Sequence, residues 1–171
     1  MGTPPPVHSV PQSELLTLNT SDMPILRDAL GEGVHYRPLF LDPEHGVWVV
    51  LASFEPGAEL PIHLHSGSVH GFTIKGRWEY KEYPQNPQTA GSYLYEPGAS
   101  IHTLHAPATN TETTEVLFIV NGANVNFNED GQFHSVLDAV TLVRLTEELS
   151  KTQGLGALTY LTGGSAGYTS S

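Results

Sequence analysis

From His35 to about Ser135, short apolar runs alternate with turn clusters, the spacing of a sandwich or barrel built from many short strands. The runs are His35–Leu41, Val47–Phe54, Val69–Tyr83, Ser92–Tyr95, Ile101–Ala106, Glu115–Asn128 and Phe133–Leu137. Between them lie Asp42-Pro-Glu-His-Gly46, Glu55-Pro-Gly57, Asn86-Pro-Gln-Thr-Ala-Gly91, Glu96-Pro-Gly98 and Asn128-Glu-Asp-Gly131. The last predicts a tight hairpin, because Asp-Gly supplies the positive φ such connections need. One helix is expected: Asp138 caps it, Leu142, Leu145 and Leu149 recur on one face, and Gly154 ends it. The chain therefore divides into an irregular N-terminal arm (1–34), an all-β barrel (35–137), a C-terminal helix (138–153) and a flexible tail (154–171).

Composition sharpens this reading. Seventeen glycines and thirteen prolines, with only 15% charged residues, argue against a helical bundle. The balance of 7 Lys+Arg against 18 Asp+Glu gives −11, which disfavours nucleic acid and anionic membrane surfaces as partners. No apolar run is long enough to span a bilayer, and the N-terminus shows no secretory pattern, so a cytoplasmic location is expected. Without cysteine there are no disulfides or thiolate nucleophiles, and any metal must be held by nitrogen and oxygen.

Five of the nine histidines fall between positions 63 and 105: His63, His65, His70, His102 and His105. A single histidine is ordinarily a surface or hydrogen-bonded residue. Two spaced by two along a strand are different, since His63 and His65 project from one face and can converge on an ion. Across Val69–Glu82 the even positions (His70, Phe72, Ile74, Gly76, Trp78, Tyr80) read as a buried face and the odd ones as a charged face. On that parity His70 points inward, where an imidazole needs a partner. If Leu104 faces the core, His102 points inward and His105 outward.

Gly57-x5-His63-x-His65-x4-His70-x5-Gly76, then Gly91-x5-Pro97-x4-His102, resembles the two motifs of the cupin superfamily over roughly residues 50–125. Two departures stand out. His70 replaces the usual glutamate ligand of the first motif, and the second motif's glycine appears as Gly98, one place early. Val69-His-Gly-Phe-Thr-Ile-Lys-Gly-Arg-Trp-Glu-Tyr80 and Tyr95-Glu-Pro-Gly-Ala-Ser-Ile-His-Thr-Leu104, with the Asn128–Gly131 turn, are similar to the 2,4′-dihydroxyacetophenone dioxygenase group of cupins. The resemblance implies a double-stranded β-helix (jelly-roll) barrel with one divalent metal ion per chain, Fe(II), on His63, His65 and His102. Imidazole equally suits zinc, nickel and manganese.

An uncancelled double charge on such an ion favours an anionic bidentate ligand, the enolate or phenolate of a hydroxy-ketone or β-diketone, with O2 as co-substrate. The family activity implied is oxidative cleavage of a carbon–carbon bond beside a carbonyl. Phe72, Trp78 and Tyr80 are expected to line an aromatic substrate site, although core packing explains each ring as simply. Glu96 is expected as an acceptor for a metal-bound imidazole, and His70 as a pocket residue or fourth ligand. Lys75, Arg77 and Lys81 read as an outward row that pairs with acidic residues at a subunit contact, in a homodimer or higher even oligomer. Two other readings stay open: a cupin that binds or senses a small molecule without turnover, and a metal-free isomerase.

Overall fold

The structure is a computed structural model and describes residues 15–164. Residues 1–14 of the expected arm and 165–171 of the expected tail lie outside the described residues. The strands run in order: β1 (Val34–Asp42), β2 (Val47–Phe54), β3 (His63–His65), β4 (Val69–Lys75), β5 (Arg77–Tyr80), β6 (Gln88–Thr89), β7 (Tyr93–Glu96), β8 (Ile101–His102), β9 (Leu104–His105), β10 (Thr114–Asn121), β11 (Asn124–Phe127) and β12 (Phe133–Leu137). The helix α1 (Ala139–Thr152) and a short β13 (Leu161–Thr162) follow. No helix among the described residues is long and apolar enough to cross a membrane.

The strands form a jelly-roll cupin fold from a six-stranded sheet (β13-β1-β2-β10-β4-β7), a four-stranded sheet (β12-β11-β3-β8) and a small one (β6-β5-β9). The two larger ladders face each other without closing into one continuous barrel. Trp48, Phe54, Val69, Trp78, Val116 and Val120 are buried in the core these sheets enclose. The hairpin at Asn128–Gly131 forms as its sequence requires: Gly131 has φ +81°, and Asn128 N donates to Gln132 O at 2.8 Å. Asp138 caps α1 by accepting from Thr141 N at 2.7 Å, and Leu142 is buried with Leu145 and Leu149 packed around it. Gln153, at the helix end, clasps the N-terminal segment, accepting from Arg27 N at 3.1 Å and donating to Arg27 O at 2.9 Å.

The even-numbered face expected across residues 69–82 does not run unbroken. In β4 the buried side chains are odd, Val69 and Thr73; in β5 they are even, Trp78 and Tyr80. The switch has two causes. Ile74 is an extra residue between the pairs Glu115↔Lys75 and Val116↔Thr73, and Gly76 then turns the chain at φ +77°. The strand thereby leaves the six-stranded sheet and enters the small one with inverted parity. His70 and Phe72 consequently project outward, and Phe72 is 46% exposed. The basic row pairs within the chain: Lys75 with Glu115 at 3.6 Å, Arg77 with Glu79 at 2.6 Å, and Lys81 with Glu59 at 2.5 Å.

Gly76 tolerates no side chain. A Cβ there would sit 2.5 Å from Thr114 Oγ1 and 2.7 Å from Thr114 Cα, on a backbone already in the left-handed region. Gly76→Ala should lower stability by about 2 kcal/mol or more, read by chemical denaturation. A wild-type midpoint would contradict this account of the parity switch.

Candidate metal centre

Strand pairing assembles the centre. Alternation along β3 turns His63 and His65 to the inner side and leaves Leu64 on the other. Antiparallel pairing of β3 with β8 sets His63 directly opposite His102. The three rings are buried, with centroids 4.8, 4.9 and 5.0 Å apart. Each offers a nitrogen, and these nitrogens lie within 4.8 Å of one another. Nδ1 of His63 donates to Pro61 O at 2.8 Å, so its Nε2 carries the lone pair. Burial, only partly opposed by that hydrogen bond, pushes the His63 pKa down to about 4, so the ring is neutral and able to ligate at ordinary pH.

Glu96, the last residue of β7, completes the cluster and is only 4% exposed. Its Oε1 accepts a short hydrogen bond from Tyr80 Oη, and the Tyr80 ring stacks on His102 at 3.9 Å. Its Oε2 lies 2.8 Å from His65 Nε2 and 3.0 Å from His102 Nε2, and those nitrogens are 3.1 Å apart. Yet Oε2 is fully buried and aligned in a hydrogen bond with neither ring. Burial alone would raise the Glu96 pKa; the adjacent His102 and His65 rings outweigh it and hold the carboxyl well below the usual range. Burial also raises the Tyr80 phenol, and the Glu96 charge adds to this, so Tyr80 stays protonated as the donor.

These spacings fit a metal. Neighbouring ligands about 2.1 Å from an ion and at right angles stand about 3.0 Å apart, which is the separation of the two Nε2 atoms and Oε2. Three buried imidazoles, with an unpaired carboxylate oxygen beside two of them, suit a divalent cation. The centre opens on a cavity of about 40 Å³ lined by Val50, Phe54, Leu60, Leu104 and Phe118 among others. A wider, more open pocket of about 290 Å³ adjoins it, and Leu30, Leu60, His63, Asn124 and Leu137 line both.

The structure thus brings together His63, His65, His102, Glu96 and Tyr80 and separates the other residues singled out from the sequence. His70 is on the outer face of the six-stranded sheet, its Nδ1 2.7 Å from Tyr93 Oη and its ring against Tyr95. Phe72 shares that face. Trp78 is wholly enclosed, donating to Thr73 Oγ1 at 2.9 Å and packing edge-on against Tyr80 and Phe118, and it does not line the cavity. His105 is partly exposed beside Glu59, as its parity implied. Sequence reasoning passed over Asn124, a buried amide on the cavity wall. Its only signal was the polar alternation Asn124-Val-Asn126 in an otherwise apolar run.

Residues 13–125 match the family model of the ChrR cupin-like domain, and the chain belongs to that family. A protein of unknown function with a cupin-like fold from Ralstonia eutropha JMP134 is 42% identical, with 95% of this chain and 100% of that one covered and a TM-score of 0.87. An RmlC-like cupin protein from the same organism is 25% identical over 82% of this chain and 90% of its own, at a TM-score of 0.75. An acetylacetone dioxygenase from Acinetobacter johnsonii shares the fold at 16% identity, covering 83% and 96%, with a TM-score of 0.68. No curated protein matches the sequence.

Freshly purified protein should carry about one divalent ion per chain by elemental analysis. His63→Ala, His65→Ala and His102→Ala should each lose it, while His70→Ala should keep it. A full metal equivalent in any of the first three would refute the site.

Proposed function

We propose that this member of the ChrR cupin-like domain family is a metal-dependent dioxygenase cleaving a carbon–carbon bond beside a carbonyl in a small hydroxy-ketone or β-diketone. The observation that carries this reading is the convergence of three buried imidazoles and Glu96 at the end of a cavity leading to a wider pocket. His63, His65 and His102 would hold the ion, with Fe(II) the metal the reaction needs. Bound there, Fe(II) supplies Lewis acidity toward a chelating enolate and electron exchange with O2. One atom of O2 ends in each of the two products, so no other oxidant is required.

The chain's own groups set the conditions. Once the Nε2 lone pairs of His65 and His102 are committed to an ion, neither ring can donate to Glu96 Oε2. Glu96, beside the nitrogens of His65 and His102, would then set a negative charge next to the ion that the three histidines hold. Tyr80 keeps the carboxylate in place through Oε1. Leu30, Leu60 and Leu137 wall the approach with hydrocarbon and limit water at the centre.

Substrate size follows from the cavity. About 40 Å³ admits roughly three waters, or the chelating head of a ketone, but no aromatic ring. Of the three rings expected to line the site, only Tyr80 does, and Glu96 engages its hydroxyl. An aryl group, as in the 2,4′-dihydroxyacetophenone class, would have to occupy the outer pocket, so compact aliphatic diketones and hydroxy-ketones fit best. The same narrowness favours a second reading, a metal-bound cupin that holds a small molecule without turnover.

Oxygen uptake by Fe(II)-loaded protein separates these readings. With acetylacetone or hydroxyacetone, uptake should match substrate consumed, and Glu96→Gln should slow it by about tenfold or more. Saturable binding without uptake, at full metal content, would select the non-catalytic reading.

The homodimer expected from the sequence also has support. Cross-strand rows Ile119–His70–Tyr95 and Leu117–Phe72–Tyr93 cover the outer face of β10, β4 and β7. Tyr93 and Tyr95 are 64% and 55% exposed there, and the centre of the face carries no carboxylate in a chain of charge −11. Exposed Phe72, Ile119, Tyr93 and Tyr95 make this a contiguous, largely apolar patch, and a second copy matches it without bringing like charges together. Light scattering should give an even multiple of the chain mass, and Phe72→Asp with Tyr95→Asp should give the monomer. A monomeric wild type at micromolar concentration would exclude this contact.

A further inference from the structure

Asn124 stands where the inner cavity meets the outer pocket and lines both. It is 6% exposed, and its Oδ1 has no hydrogen-bond partner among the described residues. On the sheet its neighbours are His65 on one side and Leu137 on the other. Directly paired residues share a face, so its side chain projects to the same side as His65, toward the centre.

A buried amide oxygen without a donor destabilises the fold, because it has given up its bond to water and gained none. An asparagine of the same shape as leucine, set against Leu60, Leu137 and Leu30, contributes nothing to packing that leucine would not contribute better. Neighbouring Asn126 is different, since its Nδ2 donates to Ser135 Oγ at 3.0 Å and so has a structural partner. We propose that Asn124 is a ligand-binding residue: its carboxamide makes the hydrogen bond that orients a keto or enol oxygen of the small molecule entering from the outer pocket. A carboxamide suits this task because a half-turn about its last torsion exchanges acceptor for donor. It can therefore accept from a hydroxyl or enol and donate to a carbonyl. Its place beside His65 sets the oxygen it binds on the metal side of the ligand, and the alkyl remainder against the leucines at the neck. The proposal rests on the reading of the centre as a site for small oxygenated ketones, and it names the residue that selects them.

The test compares wild type with Asn124→Leu, which keeps the branched shape, and Asn124→Ala, which leaves the space open and removes any steric explanation. Fe(II)-loaded proteins under argon are titrated with acetylacetone by calorimetry, with metal content measured alongside. Both variants should keep their metal and bind acetylacetone about tenfold more weakly. Metal-free Asn124→Leu should melt about 3 °C higher than wild type, because a buried unpaired oxygen has been removed. Unchanged affinity in Asn124→Ala, or loss of metal from it, overturns the proposal. If wild type with full metal does not bind acetylacetone, the ketone reading fails instead, and the melting temperature alone decides Asn124: a rise supports a ligand role, and a fall overturns it.

Discussion

The centre depends on one short piece of pairing, the two-residue ladder between β3 and β8 that sets His63 opposite His102. A slip of one residue would turn Leu64 and Ile101 inward and carry the histidines away. Two backbone bonds just beyond the ladder hold the register: Ala99 N to His65 O at 2.7 Å and His65 N to Ser100 O at 3.0 Å. The turn feeding them has a cost. Ala99 has φ +69°, a left-handed conformation that glycine takes freely and alanine does not. Gly98 sits one place too early to relieve it. Local strain is thus accepted at the turn that delivers His102.

Burial of charge is the second constraint. Glu96 is enclosed at the end of β7, and a lone carboxylate there would be prohibitive. Tyr80 satisfies one oxygen. The other faces the His65 and His102 nitrogens and is aligned in a hydrogen bond with neither. Protein hydrogen bonds therefore compensate half of the carboxylate and leave the remainder to whatever occupies the centre. Burial, with the Glu96 charge beside it, raises the phenol's pKa, so Tyr80 keeps its proton and donates to Glu96.

Much of this was legible in the chain. Strand spacing, the Asp-Gly hairpin and the capped helix follow from local chemistry, and the His-x-His pair with His102 needs only alternation and motif register. What failed was continuity of parity across residues 69–82. Period-two reasoning assumes an unbroken strand, and neither the extra residue at Ile74 nor the sheet change at Gly76 announces itself by composition. His70 and Phe72 were lost to the site by that break, whereas Tyr80 lies beyond it and remains. Asn124 was missed for another reason. A polar residue in a strand reads as solvent-facing until the opposite sheet is known to cover it.

The cavity's two walls explain what such a centre selects. On the four-stranded sheet, directly paired residues give an inner row His102–His63–Asn126–Ser135 and a second row with His65, Asn124 and Leu137. The facing sheet offers Val50, Ala52, Phe54, Phe118 and Val120. Polar groups in the cavity lining are confined to a few residues, His63, His65, Tyr80, Glu96 and Asn124, and nearly all the rest is hydrocarbon. A ligand with oxygens along one edge and alkyl groups along the other can desolvate both sides at once, whereas a uniformly polar ligand would leave its far edge unpaired against the apolar wall. Discrimination on this account comes less from contacts made than from polar groups that a wrong ligand would strand.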